Sequence, residues 1–299
     1  MRVVVAGSHG LIGSALVAHL RGDGHDVVRL VRGTARAADE LAWDPDHGVL
    51  DPAGLAGADA VVNLAGVNAG SRPLTPARKR AVVASRLRTT SLLATTLAAA
   101  PDGPRVLLQG SAVGAYGDRG DDELTEAEPY GSTFFADLVE RWEAATAPAA
   151  AAGVRVTHLR TSIVLSPHGG ALGRLLPLVR LGLGGRLGSG RQFWSWITLH
   201  DEVRAITHLL ASDVPGPVNL VAGADRNADV VAALAATWHR PAVLAVPAPA
   251  LRLVLGDFAS EVLGSARAVP AALTASGFVP DHPDIATAAA WVWAASREH

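Results

Sequence analysis

The sequence predicts an α/β protein with a doubly wound parallel sheet, followed by a smaller and mainly helical carboxyl-terminal domain. Two observations support this prediction. Short apolar, β-branched runs alternate with helix-like segments up to Arg160, as parallel strands joined by crossover helices require. Beyond Arg160 the chain changes to glycine-rich loops and to helical segments broken by prolines.

The strands are predicted from their nearly continuous apolar character, which is typical of strands buried on both faces of a sheet. The first strand opens the chain, and the next four are separated from one another by turns or helical segments. A last strand follows Pro215-Gly216-Pro217. The predicted strands are residues 2–6, 26–32, 58–64, 105–109, 154–159 and 218–221.

The helices are predicted from apolar residues at helical spacing. In the first helix, residues 11–21, Leu11, Leu16 and Leu20 share one face, and Gly22-Asp23-Gly24 ends the pattern. Further helices are predicted over residues 75–100, 133–152 and 227–238. We expect the final 50 residues to be mainly helical and interrupted at prolines.

The strongest motif is Gly7-Ser8-His9-Gly10-Leu11-Ile12-Gly13, which directly follows the first strand and opens the first helix. In a Rossmann-type domain the first glycine permits the tight turn, the second lets the backbone approach a pyrophosphate, and the third allows close helix–strand contact. Free N–H groups and the helix dipole then favour the phosphate charge. The motif predicts that a dinucleotide binds at Gly7, Ser8, Gly10, Leu11, Ile12 and Gly13. The alternative is a purely structural turn.

The end of the second strand indicates which dinucleotide is preferred. An NAD-preferring site usually carries an acidic residue there to hold the ribose hydroxyls. This chain has Leu30-Val31-Arg32-Gly33 instead. Arg32, with Arg36 as a further candidate, could pair with the 2′-phosphate of NADP(H). A solvated surface arginine is the alternative.

The third strand ends in Val61-Val62-Asn63-Leu64-Ala65-Gly66. Small residues at this point would let a dinucleotide lie across the carboxyl edge of the sheet, so Leu64, Ala65 and Gly66 are predicted to contact it. The alternative is a turn that needs Gly66 for its backbone alone.

Taken together, the motifs resemble the short-chain dehydrogenase/reductase superfamily, and more closely its atypical epimerase-like branch, often labelled nucleoside-diphosphate-sugar epimerases. The resemblance runs in order through nearly the whole chain, and residues 254–278 resemble the uncharacterised terminal domain of that branch. It implies an extended Rossmann-type fold, NADP(H), a small substrate domain and Arg160 as a cofactor-binding residue. The matching segments are residues 61–66, 78–80 with 85–86, 111–118, 141–143, 159–161, 169–172 and 187–192.

The resemblance also sets the expected domains. Residues 1–165 are predicted to form the NADP-binding Rossmann domain, to which residues 191–225 return. Residues 166–190 and 226–299 are predicted to form the substrate domain.

The usual catalytic pair of the superfamily, Tyr-x-x-x-Lys, is missing. Counting back from Glu143 places Phe135 and Val139 at its two positions, whereas counting from Tyr130 places Phe134 at the lysine position. Neither register recovers the pair, and Lys79 is the only lysine in the chain. Two other residues are candidates for catalysis. Ser111 could polarise a carbonyl or cap a strand end, and Tyr116 could donate a proton or belong to a structural turn.

Composition excludes several classes of function. The net charge of −2 argues against binding to nucleic acid or an anionic membrane. With no cysteine, the chain has no disulfide, thiolate zinc site or cysteine nucleophile. The 11 histidines show no metal-ligand spacing, so we expect no metal. We expect a cytoplasmic monomer or homodimer that binds a small-molecule substrate.

These observations lead to a prediction and two alternatives. We expect an NADP(H)-dependent oxidoreductase or epimerase-like enzyme that acts on a small carbonyl or hydroxyl compound. The missing tyrosine and lysine leave open a non-catalytic NADP(H)-binding sensor or scaffold protein. Cofactor-assisted dehydration or isomerisation, with acid and base supplied by the substrate, is a weaker alternative.

Overall fold

The main element of the fold is an eight-stranded sheet, seen in a computed structural model that describes residues 1–297. Seven of its strands are parallel, and the short β4 is antiparallel at one edge. The strand order is β11-β8-β6-β5-β1-β2-β3-β4. The strands are β1 (Arg2–Ala6), β2 (Asp26–Arg32), β3 (Glu40–Asp44), β4 (Val49–Leu50), β5 (Ala60–Asn63), β6 (Val106–Ala112), β8 (Arg155–Thr161) and β11 (Gly216–Leu220).

The sheet is covered on both faces, which explains its continuous apolar strands. In β1, Val3 and Val5 face one hydrophobic cluster, while Val4 and Ala6 face another. Helices α1 (Leu11–Gly22) and α6 (Leu199–Ala211) contribute to the first cluster, and α2 (Pro76–Ala99) and α4 (Ala147–Ala151) to the second. The predicted doubly wound α/β fold is therefore confirmed.

The predicted helices form with small changes of boundary. The helix expected over residues 133–152 is two helices, which meet at Ala145 and Thr146, and Pro148 lies in the first turn of the second helix. The helices of eight or more residues are α1 (Leu11–Gly22), α2 (Pro76–Ala99), α3 (Phe134–Ala144), α5 (Leu172–Arg180), α6 (Leu199–Ala211), α7 (Asn227–Thr237), α8 (Ala248–Leu255) and α11 (Ile285–Ala295). The shorter ones are α4 (Ala147–Ala151), α9 (Ala259–Leu263) and α10 (Ala271–Ala275).

The strands within residues 191–225, a segment expected to return to the main sheet, are divided between two sheets. Strand β11 joins the main sheet beside β8. Strands β10 (Phe193–Thr198) and β12 (Gly223–Arg226) instead form a second, three-stranded sheet with β9 (Ile163–Leu165), and β10 is its central strand. Two further short strands, β7 (Glu123–Leu124) and β13 (Arg267–Ala268), pair with each other. Helices α7 and α11 pack onto this second sheet, and their buried residues belong to the same hydrophobic cluster as those of the sheet.

Within residues 1–297, no helix combines the length and the apolar character needed to cross a membrane.

Candidate functional site

The glycine turn after β1 lies at the point where the strand order reverses, between β1 and β5. Gly7 has a φ of +80°, and a Cβ built on it would lie 2.6 Å from the carbonyl carbon of Leu64 at the end of β5. A Cβ on Gly13 would lie 2.2 Å from the Gly7 oxygen. The backbone is thus packed as closely as the predicted dinucleotide turn requires. In open α/β sheets, ligands bind in the crevice at such a reversal.

The start of α1 leaves its amides open to an anion. Gly10 is the N-cap residue and has no side chain to occupy them, while its own N–H bonds to the Gly7 oxygen at 3.0 Å. The first turn, Leu11-Ile12-Gly13-Ser14, brings no negative charge. Unpaired N–H groups at a helix start, with the helix dipole behind them, form a phosphate-binding site.

Arg32 lies at the end of β2, beside the predicted position of a cofactor ribose. Its side chain is 56% exposed, and its Nη1 lies 3.5 Å from Asp46 Oδ2. This loose, solvated pairing leaves the guanidinium able to turn toward a 2′-phosphate.

The segment after β5 is fixed by side chains beneath it. Asn63 Oδ1 accepts the Ala65 N–H at 3.1 Å, and Asn63 Nδ2 donates to Gln109 Oε1 at 2.9 Å. A Cβ on Gly66 would lie 3.4 Å from Arg86 Cγ. The backbone at Ala65 is therefore held by a buried side chain at the edge of the crevice.

A cavity of about 1370 Å³ lies at the carboxyl ends of β6 and β8. The strand ends, α3 and the glycine-rich loop before α5 form part of its wall, and α8 and α9 of the carboxyl-terminal region form another part. The residues that line the cavity include Lys79, Arg86, Ser111, Phe135, Val139 and Glu261.

Two basic side chains of α2 line this cavity. Lys79 Nζ pairs with Asp257 Oδ2 at 2.5 Å and so joins α2 to the carboxyl-terminal region. Arg86 donates to the Val67 oxygen at 2.9 Å. Burial lowers the pKa of Arg86 to about 10, so the guanidinium remains charged at neutral pH. Both cations could hold an anionic or strongly polar group of a substrate.

Ser111 lies in the cavity wall at the end of β6. Its hydroxyl donates to Glu143 Oε1 at 2.5 Å, and Tyr130 donates to Glu143 Oε2 at 2.7 Å. Burial acts to raise the pKa of Glu143, but Arg160, His158 and Ser111 together outweigh it and the pKa is lowered. The single proton of Ser111 is therefore held by a carboxylate behind the cavity wall.

The structure corrects the predictions for Tyr116 and Arg160. Tyr116 is fully buried, and its hydroxyl donates to Asn219 Oδ1 at 2.7 Å and accepts from Arg160 Nη1 at 3.0 Å. The rest of the Arg160 guanidinium binds Glu143, so all three of its nitrogens are hydrogen-bonded inside the protein. Neither residue lines the cavity. Their role is an internal polar network that joins β8 to the segments around it.

The positions of the missing pair are occupied by apolar side chains. Phe135 and Val139 lie one helical turn apart on α3, and both line the cavity. The cavity wall therefore presents Phe135 and Val139 where a tyrosine and a lysine would be expected.

One group in the described residues has the spacing of a metal site, namely His200, Asp201 and Asp281. Arg204 Nη1 already binds Asp201 Oδ1 at 2.9 Å and Asp281 Oδ1 at 3.1 Å. Asp201 also accepts the backbone N–H groups of Asp281 and His282. We interpret the group as a clamp that fastens the loop before α11 to α6.

Sequence reasoning missed two carboxyls with raised pKa, the fully buried Glu202 and the half-buried Glu261. Glu202 on α6 is fully buried and accepts from Thr161 at 2.7 Å, and burial raises its pKa to about 8. Glu261 on α9 lines the cavity, and burial raises its pKa to about 7. From the sequence, Glu202 and Glu261 both resemble solvent-exposed helix residues, because the neighbouring residues do not indicate which parts of the folded protein pack against them.

Two family models match the chain. Residues 3–222 match the NAD dependent epimerase/dehydratase family, and residues 246–292 match a domain of unknown function, DUF1731. An epimerase family protein of Mycobacterium tuberculosis is 45% identical over 289 residues, which cover 96% of this chain and 95% of that protein. An epimerase family protein of Bos taurus is 37% identical over 295 residues, with 96% and 98% covered.

A solved structure shares the whole architecture. The human epimerase family protein crystallised with NADPH superposes with a TM-score of 0.89 at 32% identity, covering 98% of this chain and 99% of that one.

Proposed function

Because the chain belongs to the NAD dependent epimerase/dehydratase family, we propose that it is an NADP(H)-dependent oxidoreductase or epimerase-like enzyme acting on a small carbonyl or hydroxyl compound. The family resemblance seen in the sequence is thereby confirmed. What we propose for this chain is the binding of NADP(H), the preference for NADP(H) over NAD(H) and the catalytic activity.

The position of the crevice and the cavity at the same edge of the sheet is the observation that supports the proposal most. The Gly7–Gly13 turn opens at the strand reversal, and the cavity begins at the ends of β6 and β8 on the same edge of the sheet. A dinucleotide with its diphosphate on the turn would extend its nicotinamide toward Ser111. The human relative with 32% identity was crystallised with NADPH, and Arg32 supplies the charge that a 2′-phosphate needs here.

When bound, the nicotinamide supplies or accepts a hydride. The residues of this chain position the substrate and exclude water. Ser111, held by Glu143, presents its lone pairs to the cavity, and its proton remains on the Glu143 side. Lys79 and Arg86 offer positive charge for a polar or anionic part of the substrate. Phe135 and Val139 give this space an apolar wall, which favours a compound with an apolar face.

The proposal is tested by turnover with a defined panel. NADPH oxidation is followed with 4-nitrobenzaldehyde, ethyl acetoacetate and phenanthrenequinone, and hydride exchange is followed with UDP-galactose. We expect at least one compound to react, and the Gly10→Val variant to lose both binding and turnover. Binding of NADPH without turnover of any compound, and without stereospecific hydride exchange, would contradict the enzymatic function.

Phe135 and Val139 favour a second candidate, a non-catalytic NADP(H)-binding sensor. It predicts tight cofactor binding without hydride transfer, and a protein partner whose affinity depends on the cofactor. Stereospecific exchange of the nicotinamide hydride would exclude it.

A further inference from the structure

Glu261 projects into the cavity from the carboxyl-terminal region, opposite the end of β6. A Cβ built on Gly114 would lie 3.0 Å from Glu261 Oε2 and 3.5 Å from Phe135 Cβ. The carboxyl thus lies beside the residue that replaces the tyrosine of the usual catalytic pair. It reaches this place from a different part of the chain, since α9 lies more than 100 residues beyond α3.

We propose that Glu261 is the proton donor and acceptor of this site, acting where the tyrosine is missing; the inference rests on the function proposed above. The carboxyl-terminal region would then supply a catalytic residue in addition to covering the cavity.

Other hydroxyl groups at the strand ends donate their protons into the protein. Ser111 donates to Glu143, Thr161 donates to Glu202 at 2.7 Å, and Ser162 donates to the Leu220 oxygen at 2.7 Å. Tyr130 also donates to Glu143. A hydroxyl whose single proton is bound elsewhere is a poor donor to a developing alkoxide.

Glu261 differs from the other acidic side chains of the cavity. Asp257 is paired with Lys79, and Asp118 accepts the Ser265 N–H at 3.2 Å. Among residues 1–297, Glu261 is the acidic side chain of this wall that has neither a hydrogen-bond nor an ion-pair partner. The charged groups that line the same cavity are Lys79, Arg86, Asp118, Arg174, Arg252 and Asp257.

The protonation of Glu261 fits a proton-transfer role. Burial raises the pKa of its carboxyl to about 7, and no neighbouring charge contributes to this shift. On α3, which packs beside it, the charged pair Asp137 and Arg141 is exposed and bonded internally at 3.5 Å. Both protonation states are then populated at neutral pH, as acid–base catalysis requires.

In the proposed step, hydride adds to the carbonyl carbon of the substrate, and the C=O electron pair moves to oxygen. The oxygen takes the proton of the Glu261 carboxyl. The substrate is reduced to an alcohol, NADPH is oxidised to NADP⁺, and the Glu261 carboxylate regains a proton from solvent. Oxidation of an alcohol reverses each of these transfers.

Infrared difference spectroscopy tests the placement of Glu261 without any substrate. We expect a protonated-carboxyl carbonyl band that titrates at about pH 7, disappears in Glu261→Gln, and persists in the control Glu140→Gln, an exposed residue of α3. With NADP⁺ in place of NADPH, the midpoint should fall, because a positive nicotinamide nearby favours the carboxylate. A band that survives in Glu261→Gln, or a midpoint that ignores the cofactor's redox state, would overturn the proposal.

Kinetics with the most reactive panel carbonyl then separates this inference from the proposed function. We expect Glu261→Gln to retain NADPH affinity and to lose about 10²- to 10⁴-fold in kcat, with partial rescue in Glu261→Asp. In wild type, reduction should slow as the pH rises through about 7, and the variant should lose this dependence. A Glu261→Gln variant with unchanged kcat and pH profile overturns this inference alone. A wild type that transfers no hydride overturns both.

Discussion

The Arg160 guanidinium holds both oxygens of the Glu143 carboxylate inside the protein. Nε donates to Oε1 and Nη2 to Oε2, each at 2.9 Å, and both side chains are 4% exposed. The pair lies behind the wall that carries Ser111, because the same carboxylate accepts the Ser111 hydroxyl. A residue predicted to bind cofactor therefore fixes the back of the site instead.

Removing the charge of one member of this pair should lower the free energy of unfolding much more than removing both charges. Arg160→Met leaves a buried, unpaired carboxylate, and we expect a loss of about 3–5 kcal/mol in the free energy of unfolding. Glu143→Gln combined with Arg160→Met should lose less than Arg160→Met alone. Urea denaturation measures both. The control is Arg141→Met, which breaks an exposed pair and should cost less than about 1 kcal/mol; equal losses for Arg141→Met and Arg160→Met would refute the argument.

The glycine turn should tolerate no side chain at Gly13. Gly13→Ala forces a Cβ against the Gly7 oxygen, and we expect NADPH binding to be abolished in a calorimetric titration. Gly22→Ala, at the end of the same helix, has open space around its new methyl and should bind normally. It should also be stabilised by up to about 1 kcal/mol, since alanine restricts the unfolded chain. Normal NADPH binding by Gly13→Ala would show that the turn does not receive the diphosphate.

Arg32 should determine the preference for NADPH over NADH. Arg32→Ala should weaken NADPH binding by about 10- to 100-fold through loss of charge-assisted hydrogen bonds, with little effect on NADH. Asp46→Asn should strengthen NADPH binding slightly, because it removes the negative charge nearest to Arg32. Arg141→Ala, which removes one positive charge from α3, is the control. If the NADPH-to-NADH affinity ratio stays the same in Arg32→Ala, another residue reads the 2′-phosphate.

Glu202 should make the fold less stable as the pH rises. Burial raises its folded pKa to about 8, whereas an unfolded glutamate titrates near 4.3. Between these two pKa values the folded protein binds one proton more than the unfolded chain. The contribution of Glu202 to the free energy of unfolding is therefore complete below the unfolded pKa and is lost as the pH rises through the folded pKa. Between the two pKa values the free energy of unfolding should fall by roughly 1.4 kcal/mol per pH unit.

Glu202→Gln stays neutral at every pH and should lose this contribution, so its slope in urea denaturation curves taken from pH 5 to pH 8 should be shallower than that of the wild type. The exposed Glu140→Gln should keep the wild-type slope. Matching slopes for wild type and Glu202→Gln would mean that Glu202 is not protonated in the folded state.

Sequence reasoning succeeded where the signal was local. The Gly7–Gly13 turn and strands β1 and β2 were predicted at their observed bounds because glycine conformation and apolar runs are properties of adjacent residues. Strand β3 was missed, since Glu40-Leu41-Ala42-Trp43-Asp44 lacks a continuous apolar run and is held by the sheet edge.

The polar part of the site was beyond such reasoning. Arg160 and Glu143 are 17 positions apart on different elements, and their hydrogen bonds exist only once β8 and α3 pack. Glu261 meets Gly114 only through the fold of the carboxyl-terminal region over the cavity. Neither spacing nor composition encodes these pairings.

Calorimetric titration of the wild-type protein with NADPH and with NADH tests the central claim most directly. We expect one NADPH per chain, binding about 10- to 100-fold tighter than NADH, with a matching rise in thermal stability. The absence of both binding heat and thermal protection with either nucleotide would contradict it.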